Sequence, residues 1–281
     1  MKYSVALETA HKLLTNELKT DLGSKSFKND VTSQIVISNK SIKAYFVART
    51  KIILCGINFI ESFIKSLKNG IVIKLFFKDG DIIKANKKIA SLQGDAKKIL
   101  VLERTLLNFL QHLSSISTTT YFIKEKLKNS RIQLLDTRKT ITGLRIVQKY
   151  ATQTGGAKNH RIGLYDKIFI KDNHIKIAGG IENIKNIINR KNIRDYIIEC
   201  DNYNQARFFI EAGAKYILLD NMKIKEIKKI LKIKCKNVKF EVSGGINVSN
   251  IKKFLHLKIH FISVGFITQN PEPTDIGLDI I

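Results

Sequence analysis

Six short apolar runs in the second half of the chain each end in residues able to do chemistry. Ile132 to Leu135 runs into Asp136-Thr137-Arg138-Lys139, Lys167 to Ile170 into Lys171-Asp172-Asn173-His174, and Tyr196 to Ile198 into Glu199-Cys200-Asp201. Tyr216 to Leu219 gives way to Asp220-Asn221, Val238 to Val242 to Ser243-Gly244-Gly245, and Phe261 to Val264 to Gly265. Arg138 and Lys139, with Arg104 and Asn159-His160-Arg161, form a cationic set whose planar forks suit carboxylates, so a polyanionic substrate is implied. The glycines of Ser243-Gly244-Gly245 and Gly265 allow close backbone approach, and N–H groups at a following helix start receive an anion, which is a phosphate-site pattern. Glu199 and Asp220 close consecutive strands, which sets their carboxylates on one rim roughly ~5 Å apart. Such a pair can hold Mg²⁺, orient ribose hydroxyls or stabilise a developing cation. The plainer alternatives are solvated surface charge, glycines serving only a positive φ, and carboxylates paired with nearby lysines. Lys171 could form a Schiff base, although a lysine in so anionic a site more often pairs with a carboxylate or phosphate. His160 and His174 fall at the same rim. No H-E-x-x-H or comparable spacing occurs, which argues against a metal held tightly by protein ligands.

These residues need a scaffold that brings strand ends together. The apolar runs alternate with helical stretches starting near Gly143, Gly180, Tyr203, Ile224 and Val248, the rhythm of a parallel sheet covered by helices. In an open doubly wound sheet only the strand ends at the switch point meet. In a βα barrel all of them converge on one rim. Six functional strand ends therefore predict an incomplete βα barrel of about six parallel strands. The first half reads as an α+β domain. A helix is expected over 5–18, strands at Gln34 to Ser38, Ile42 to Ala48, Ile71 to Phe77 and Lys88 to Leu92, and a helix near Asn58 to Leu67. Asp95 caps an apolar helix from Lys97 through Leu113, and a second helix follows to about Lys128. The expected domains are 1–112, joined by the tail 268–281, and 113–267.

Composition narrows the function classes. The 281 residues carry 49 Lys and Arg against 24 Asp and Glu, a net charge of +25. Only nine of the 49 are Arg, and Lys, Ile and Asn are abundant throughout, as a compositional drift would produce. A nucleic-acid footprint would instead cluster on one face beside aromatics, so no nucleic-acid partner is expected. Arg104, Arg138, Arg145 and Arg161 persist against that drift, which marks places where a bidentate donor is hard to replace. The three cysteines, Cys55, Cys200 and Cys235, are too scattered for a disulfide framework or a structural zinc site. No apolar window of membrane-spanning length and no leader pattern is found, so a cytoplasmic protein is expected.

Taken together the motifs resemble the quinolinate phosphoribosyltransferase family. Glu103-Arg104-Thr105 with Leu107-Asn108-Phe109-Leu110, Asp136-Thr137-Arg138-Lys139-Thr140, Asn159-His160-Arg161 and Ile170-Lys171-Asp172-Asn173-His174 carry the likeness. So do Glu199-Cys200-Asp201, Leu219-Asp220-Asn221-Met222, Ser243-Gly244-Gly245-Ile246, Ser263-Val264-Gly265 and Asp30-Val31-Thr32-Ser33, all in family order. The resemblance implies an N-terminal sandwich plus an incomplete barrel, assembled as a homodimer. It implies transfer of phosphoribose from phosphoribosyl pyrophosphate to quinolinate, with Mg²⁺, giving nicotinate mononucleotide, pyrophosphate and CO₂ for NAD biosynthesis. Carried over, Thr137, Arg138, Lys139, His160, Arg161 and Lys171 would form the quinolinate pocket, with Arg104 donated by the neighbouring subunit. Lys139, Lys171, Glu199 and Asp220 would be catalytic, the two carboxylates facing the ribose and the Mg²⁺-bound pyrophosphate. Ser243, Gly244, Gly245, Val264, Gly265 and Phe266 would hold the 5-phosphate. A related pyrophosphorylase of molybdenum-transport operons shares the fold, but the full cationic set and the Asp136 to Thr140 block favour the quinolinate enzyme. Departures from the family pattern fall at Thr142, where proline is usual, at Ala157 and Ser115 in place of glycines, and at Gln269 in place of a histidine.

Overall fold

The structure, a computed structural model, describes residues 2–24 and 26–281. In chain order the helices and strands are α1 (Tyr3–Leu22), α2 (Val31–Val36), β1 (Ser41–Ala48), β2 (Ile52–Ile53) and α3 (Ile57–Leu67). Then come β3 (Val72–Leu75), β4 (Ile82–Ile83), β5 (Lys87–Asp95), α4 (Ala96–Lys126), β6 (Gln133–Leu135) and α5 (Arg145–Thr154). The barrel elements continue as β7 (Ile168–Ile170), α6 (Asp172–Ile177), α7 (Ile181–Arg190), β8 (Tyr196–Cys200), α8 (Tyr203–Glu211), β9 (Tyr216–Asp220) and α9 (Ile224–Ile230). The chain closes with β10 (Lys239–Ser243), β11 (Phe261–Ser263), α10 (Phe266–Gln269) and β12 (Ile276–Ile280). The coordinates divide into two compact units. One comprises residues 1–121, 142–156 and 270–281, the other residues 122–141 and 157–269.

The first unit is built on an antiparallel sheet in the order β12-β1-β5-β3. The C-terminal strand enters it by pairing with β1, Phe46 opposite Leu278 and Ala48 opposite Ile276. The alternating faces of β1 and β5 turn Ala44, Phe46, Ala90 and Leu92 inward, against Leu14 of α1, Ile60 and Phe63 of α3 and Leu102 and Leu106 of α4. Each of the Leu, Ile and Phe side chains contributes about 1.5–3 kcal/mol by leaving water.

Two expectations for this half are corrected. The strand anticipated at Gln34 to Ser38 is instead largely helix α2. Asp30 caps it, its carboxylate accepting the Ser33 N–H at 3.0 Å, and this local bond outweighs the β-branched Ile35, Val36 and Ile37. The two helices expected from Lys97 to Lys128 are one, α4. Its Ser/Thr-rich middle does not break it, because the hydroxyls find partners without taking the helix's own N–H groups: Ser115 and Thr120 donate to Gln111 O at 2.8 Å and Ile116 O at 2.6 Å, Ser117 donates to Ile53 O at 2.6 Å, and Thr118 accepts the Ile53 N–H at 2.8 Å. Residue 112 lies inside this continuous helix, and the two compact units change over at 121/122. Residues 142–156 group with the first unit, where α5 packs against α1.

In the second unit six parallel strands run in the order β6-β11-β10-β9-β8-β7. Each strand from β7 to β11 sits beside its sequence neighbour, and the first, β6, returns to pair with the last, β11, Ile262 opposite Leu134. A doubly wound sheet would reverse direction at its centre. Here the order is that of a barrel left open between its first and second strands, β6 and β7. The helix expected near Val248 is only a short 3₁₀ turn, Ile251–Phe254, and α6 was not anticipated.

Candidate active site

Two segments at the open seam, the loop after β6 and the connection from α5 to β7, are shaped by one buried carboxylate. Asp136, directly after β6, accepts the His160 N–H at 2.7 Å and the Asn159 side-chain amide at 2.7 Å. Lys158 bridges Leu135 in parallel fashion, extending β6 sideways by one residue. The Asn159-His160-Arg161 segment is thereby brought to the barrel rim. Without the carboxylate, two part-buried donors would lose their acceptor, at about 1 kcal/mol each.

A single cavity at the strand ends gathers Thr137, Arg138, Lys139, His160, Arg161, Lys171, Glu199, Asp220 and Ser243, all anticipated, over a floor of Phe169, Leu218, Glu241 and Ser263. The Arg161 guanidinium lies 4.5 Å from the centre of the Phe169 ring and the Lys171 ammonium 5.1 Å from it. Burial and the neighbouring Arg138 charge make Arg161 easier to deprotonate than an ordinary arginine. That is the electrostatic signature of cations crowded together with too few anions, and an anionic ligand relieves it. Arg138 Nε is buried with no partner among the described residues, a donor available to such a ligand. Opposite, Lys171 Nζ stands 3.5 Å from Glu199 Oε2. Burial pushes the Glu199 carboxyl above the ordinary range, Lys171 pulls it back, and the Asp220 charge pushes it up again. Asp201 is raised by burial and by Asp172 and Asp220. Among the described residues no group of three or more His, Cys, Asp or Glu could hold a metal by itself.

The loops after β9, β10 and β11 form the other edge. Asn221 takes a left-handed conformation, φ 52°, and donates its N–H to Ser243 O at 3.0 Å. Gly244, φ 97°, lies so close that an added Cβ would stand 2.2 Å from Asn221 Oδ1, so glycine is obligatory there. Gly265 faces Lys139 Cδ and Gln269 Oε1, each 3.1 Å from where its Cβ would be. The Thr268 hydroxyl donates to Lys139 O at 2.6 Å, tying α10 to the loop after β6. Gly244, Gly245, Gly265 and Phe266 are not among the cavity-lining residues, and Val264 is buried. Arg104 is exposed on α4, in the other unit. His174 caps α6 locally, its Nδ1 accepting the Lys171 N–H at 3.0 Å.

Glu241 was missed. The signal was present: it stands two residues before Ser243, so the period of two puts both on one face of β10, and it is an acidic residue in an apolar strand. Cys200 closes β8 but is buried, and burial pushes its thiol up, away from nucleophilic use.

An open βα barrel with a cationic cavity, a carboxylate edge and glycine loops at its strand ends defines an enzyme for anionic, phosphorylated substrates. Comparison with known proteins narrows this. Residues 30–114 match the quinolinate phosphoribosyl transferase N-terminal domain and residues 116–279 its C-terminal domain, and the chain belongs to the quinolinate phosphoribosyltransferase family. A probable nicotinate-nucleotide pyrophosphorylase (carboxylating) of Methanocaldococcus jannaschii is 39% identical over 97% of this chain and 97% of its own length. The one from Bacillus subtilis is 36% identical over 96% and 92%. The crystal structure of nicotinate-nucleotide pyrophosphorylase from Ehrlichia chaffeensis superposes with a TM-score of 0.91, at 33% identity, over 100% of this chain and 99% of that one.

Proposed function

We propose that this cavity joins quinolinate to phosphoribosyl pyrophosphate, releasing pyrophosphate and CO₂ and leaving nicotinate mononucleotide, a step of NAD biosynthesis. The chain is then a pentosyltransferase of the carboxylating nicotinate-nucleotide pyrophosphorylase kind. The observation that carries the reading is the division of one cavity into a cationic wall (Arg138, Lys139, Arg161, Lys171) and a carboxylate edge (Glu199, Asp220). Quinolinate is a dianion on a weakly nucleophilic ring. The wall offsets its charge and aims the ring nitrogen, which converts an unfavourable encounter into a positioned one. Displacement at the anomeric carbon builds positive charge on the ribose, which Glu199 and Asp220 stabilise. The ribosylated ring nitrogen is cationic and stabilises the electron pair left on the adjacent ring carbon when its carboxylate departs as CO₂; a proton from water then takes that position, so decarboxylation needs no further cofactor.

Glu199 and Asp220 would face the Mg²⁺ that enters with the substrate pyrophosphate, where the ion would shield the charge of the leaving group. The edge suits it, because Asp220 raises both the Glu199 and the Asp201 carboxyl, and a divalent ion nearby offsets that crowding. Ser243, Gly244, Gly245, Val264, Gly265 and Phe266 take the 5-phosphate in this reading, supported by the obligatory glycine at Gly244. Arg104, exposed on α4, completes the quinolinate pocket of the neighbouring subunit in a homodimer. No described helix is long and apolar enough to cross a membrane, and we place the enzyme in the cytoplasm. Purified protein with quinolinate, phosphoribosyl pyrophosphate and Mg²⁺ should release CO₂ and pyrophosphate, and nicotinate should be a poor substrate. Equal turnover of the two acids would overturn the reading, since the cationic wall would then serve no second carboxylate.

A further inference from the structure

Beneath the cavity, three side chains form a connected array that the proposed reaction does not use as such. Tyr216, stacked on Phe261 with centroids 5.4 Å apart, donates its hydroxyl to Glu241 Oε2 at 2.6 Å. Glu241 is wholly buried, and its other oxygen has no hydrogen-bond partner among the described residues. His160 Nε2 stands 3.5 Å from the same Oε2. The opposite ring nitrogen, Nδ1, accepts the Arg161 N–H at 2.7 Å. A nitrogen that accepts carries no proton, so the ring proton lies on Nε2 and faces Glu241. The ring edge rests on Phe169, centroids 5.6 Å apart and planes at 61°. Both imidazole nitrogens are therefore turned toward protein groups. A buried carboxylate with one unpartnered oxygen opposes folding, and a group so placed calls for a role.

We propose that Glu241 is a positioning residue. Anchored by Tyr216, it fixes His160 as the Nε2–H tautomer, and His160 Nδ1 in turn fixes the backbone of Arg161, whose guanidinium lies over Phe169. His160 then serves the site by aiming Arg161, not by donating to the substrate. The proposal rests on the reading that this cavity takes quinolinate.

The test uses full-length protein labelled with ¹⁵N-histidine, the His160 signals being assigned by their loss in His160→Gln. Wild-type His160 should show the Nε2–H tautomer and keep it when quinolinate is added. In Glu241→Gln one amide oxygen must serve two donors, so a second tautomer should appear. The quinolinate KM should rise about tenfold, the scale of one lost hydrogen bond to a charged group, with kcat little changed. Tyr216→Phe keeps the carboxylate and should keep the tautomer, with a smaller change in KM. An unchanged tautomer and KM in Glu241→Gln would overturn the proposal. Should that variant fail to fold, the wild-type spectrum decides: an Nδ1–H tautomer, or an Nε2 signal that moves on quinolinate binding, would overturn it equally. If wild-type protein binds no quinolinate, the functional reading fails, while the ligand-free tautomer still tests the array.

Discussion

Replacing Glu199 by glutamine should slow the enzyme and stabilise it at the same time. The argument turns on which of two electrostatic effects wins. At 3.5 Å from Lys171, an ion pair in surroundings of effective dielectric ~20 attracts by about 5 kcal/mol before solvent screening. The Lys171 side chain is 44% exposed, however, and pairs open to water retain about 1 kcal/mol or less. Taking the Glu199 carboxylate out of water costs several kcal/mol, so burial wins, and its carboxyl is raised with Asp220 adding to the effect. A carboxyl raised in the folded state contributes stability below its unfolded pKa of about 4.3, and that contribution is lost as pH rises through the folded value. Ionised Glu199 is therefore a burden on the fold at pH 7, carried for the sake of the reaction. Glutamine keeps the shape and removes the charge, while the half-exposed Lys171 remains hydrated. Tm at pH 7 should rise, and the gain should shrink as pH falls toward the ordinary carboxylate range. The loss of one electrostatic stabiliser should lower kcat on the order of 10²–10³-fold, with quinolinate affinity nearly unchanged. Calorimetric melting from pH 4 to 8, quinolinate titration and pyrophosphate release would measure all three. A lower Tm at pH 7, or lost quinolinate binding with intact kcat, would refute the reasoning.

Three further outcomes are expected. Gly244→Ala puts a Cβ 2.2 Å from Asn221 Oδ1 at a φ of 97°, so it should displace the loop and raise the KM for phosphoribosyl pyrophosphate at least tenfold, while calorimetry with quinolinate alone changes little. Arg104→Ala should lose quinolinate binding without loss of fold, and mixing it with Arg138→Ala should restore part of the activity through one intact composite site per mixed dimer; no recovery after verified subunit exchange would place Arg104 within its own chain's function. Chelation of Mg²⁺ should abolish pyrophosphate release yet leave quinolinate binding in place, and persistent turnover under chelation would remove the metal from the reaction.

The sequence carried the barrel because its information there is local. Each strand from β6 to β11 is a short apolar run ended by polar or glycine residues, and the alternation with helices is readable from periodicity alone. The same strand-end rule located Arg138, Lys139, Lys171, Glu199, Asp220 and Ser243, which the fold gathers at one cavity. Reading failed where local preference was contested. Ile35-Val36-Ile37 has strand chemistry, yet an Asp30 cap makes much of it helix, and the Ser/Thr-rich middle of α4 resembles a break until its hydroxyls are seen to bond partly within the helix and partly to the segment around Ile53. What tertiary structure alone decided is distance between residues remote in sequence. The pairing of β12 with β1 draws on residues more than 200 positions apart, and the approach of His160 to Glu241 on residues 81 apart. No periodicity encodes such contacts. They arise when the barrel strands assemble and bring a buried carboxylate, a phenol and an imidazole within reach of one another.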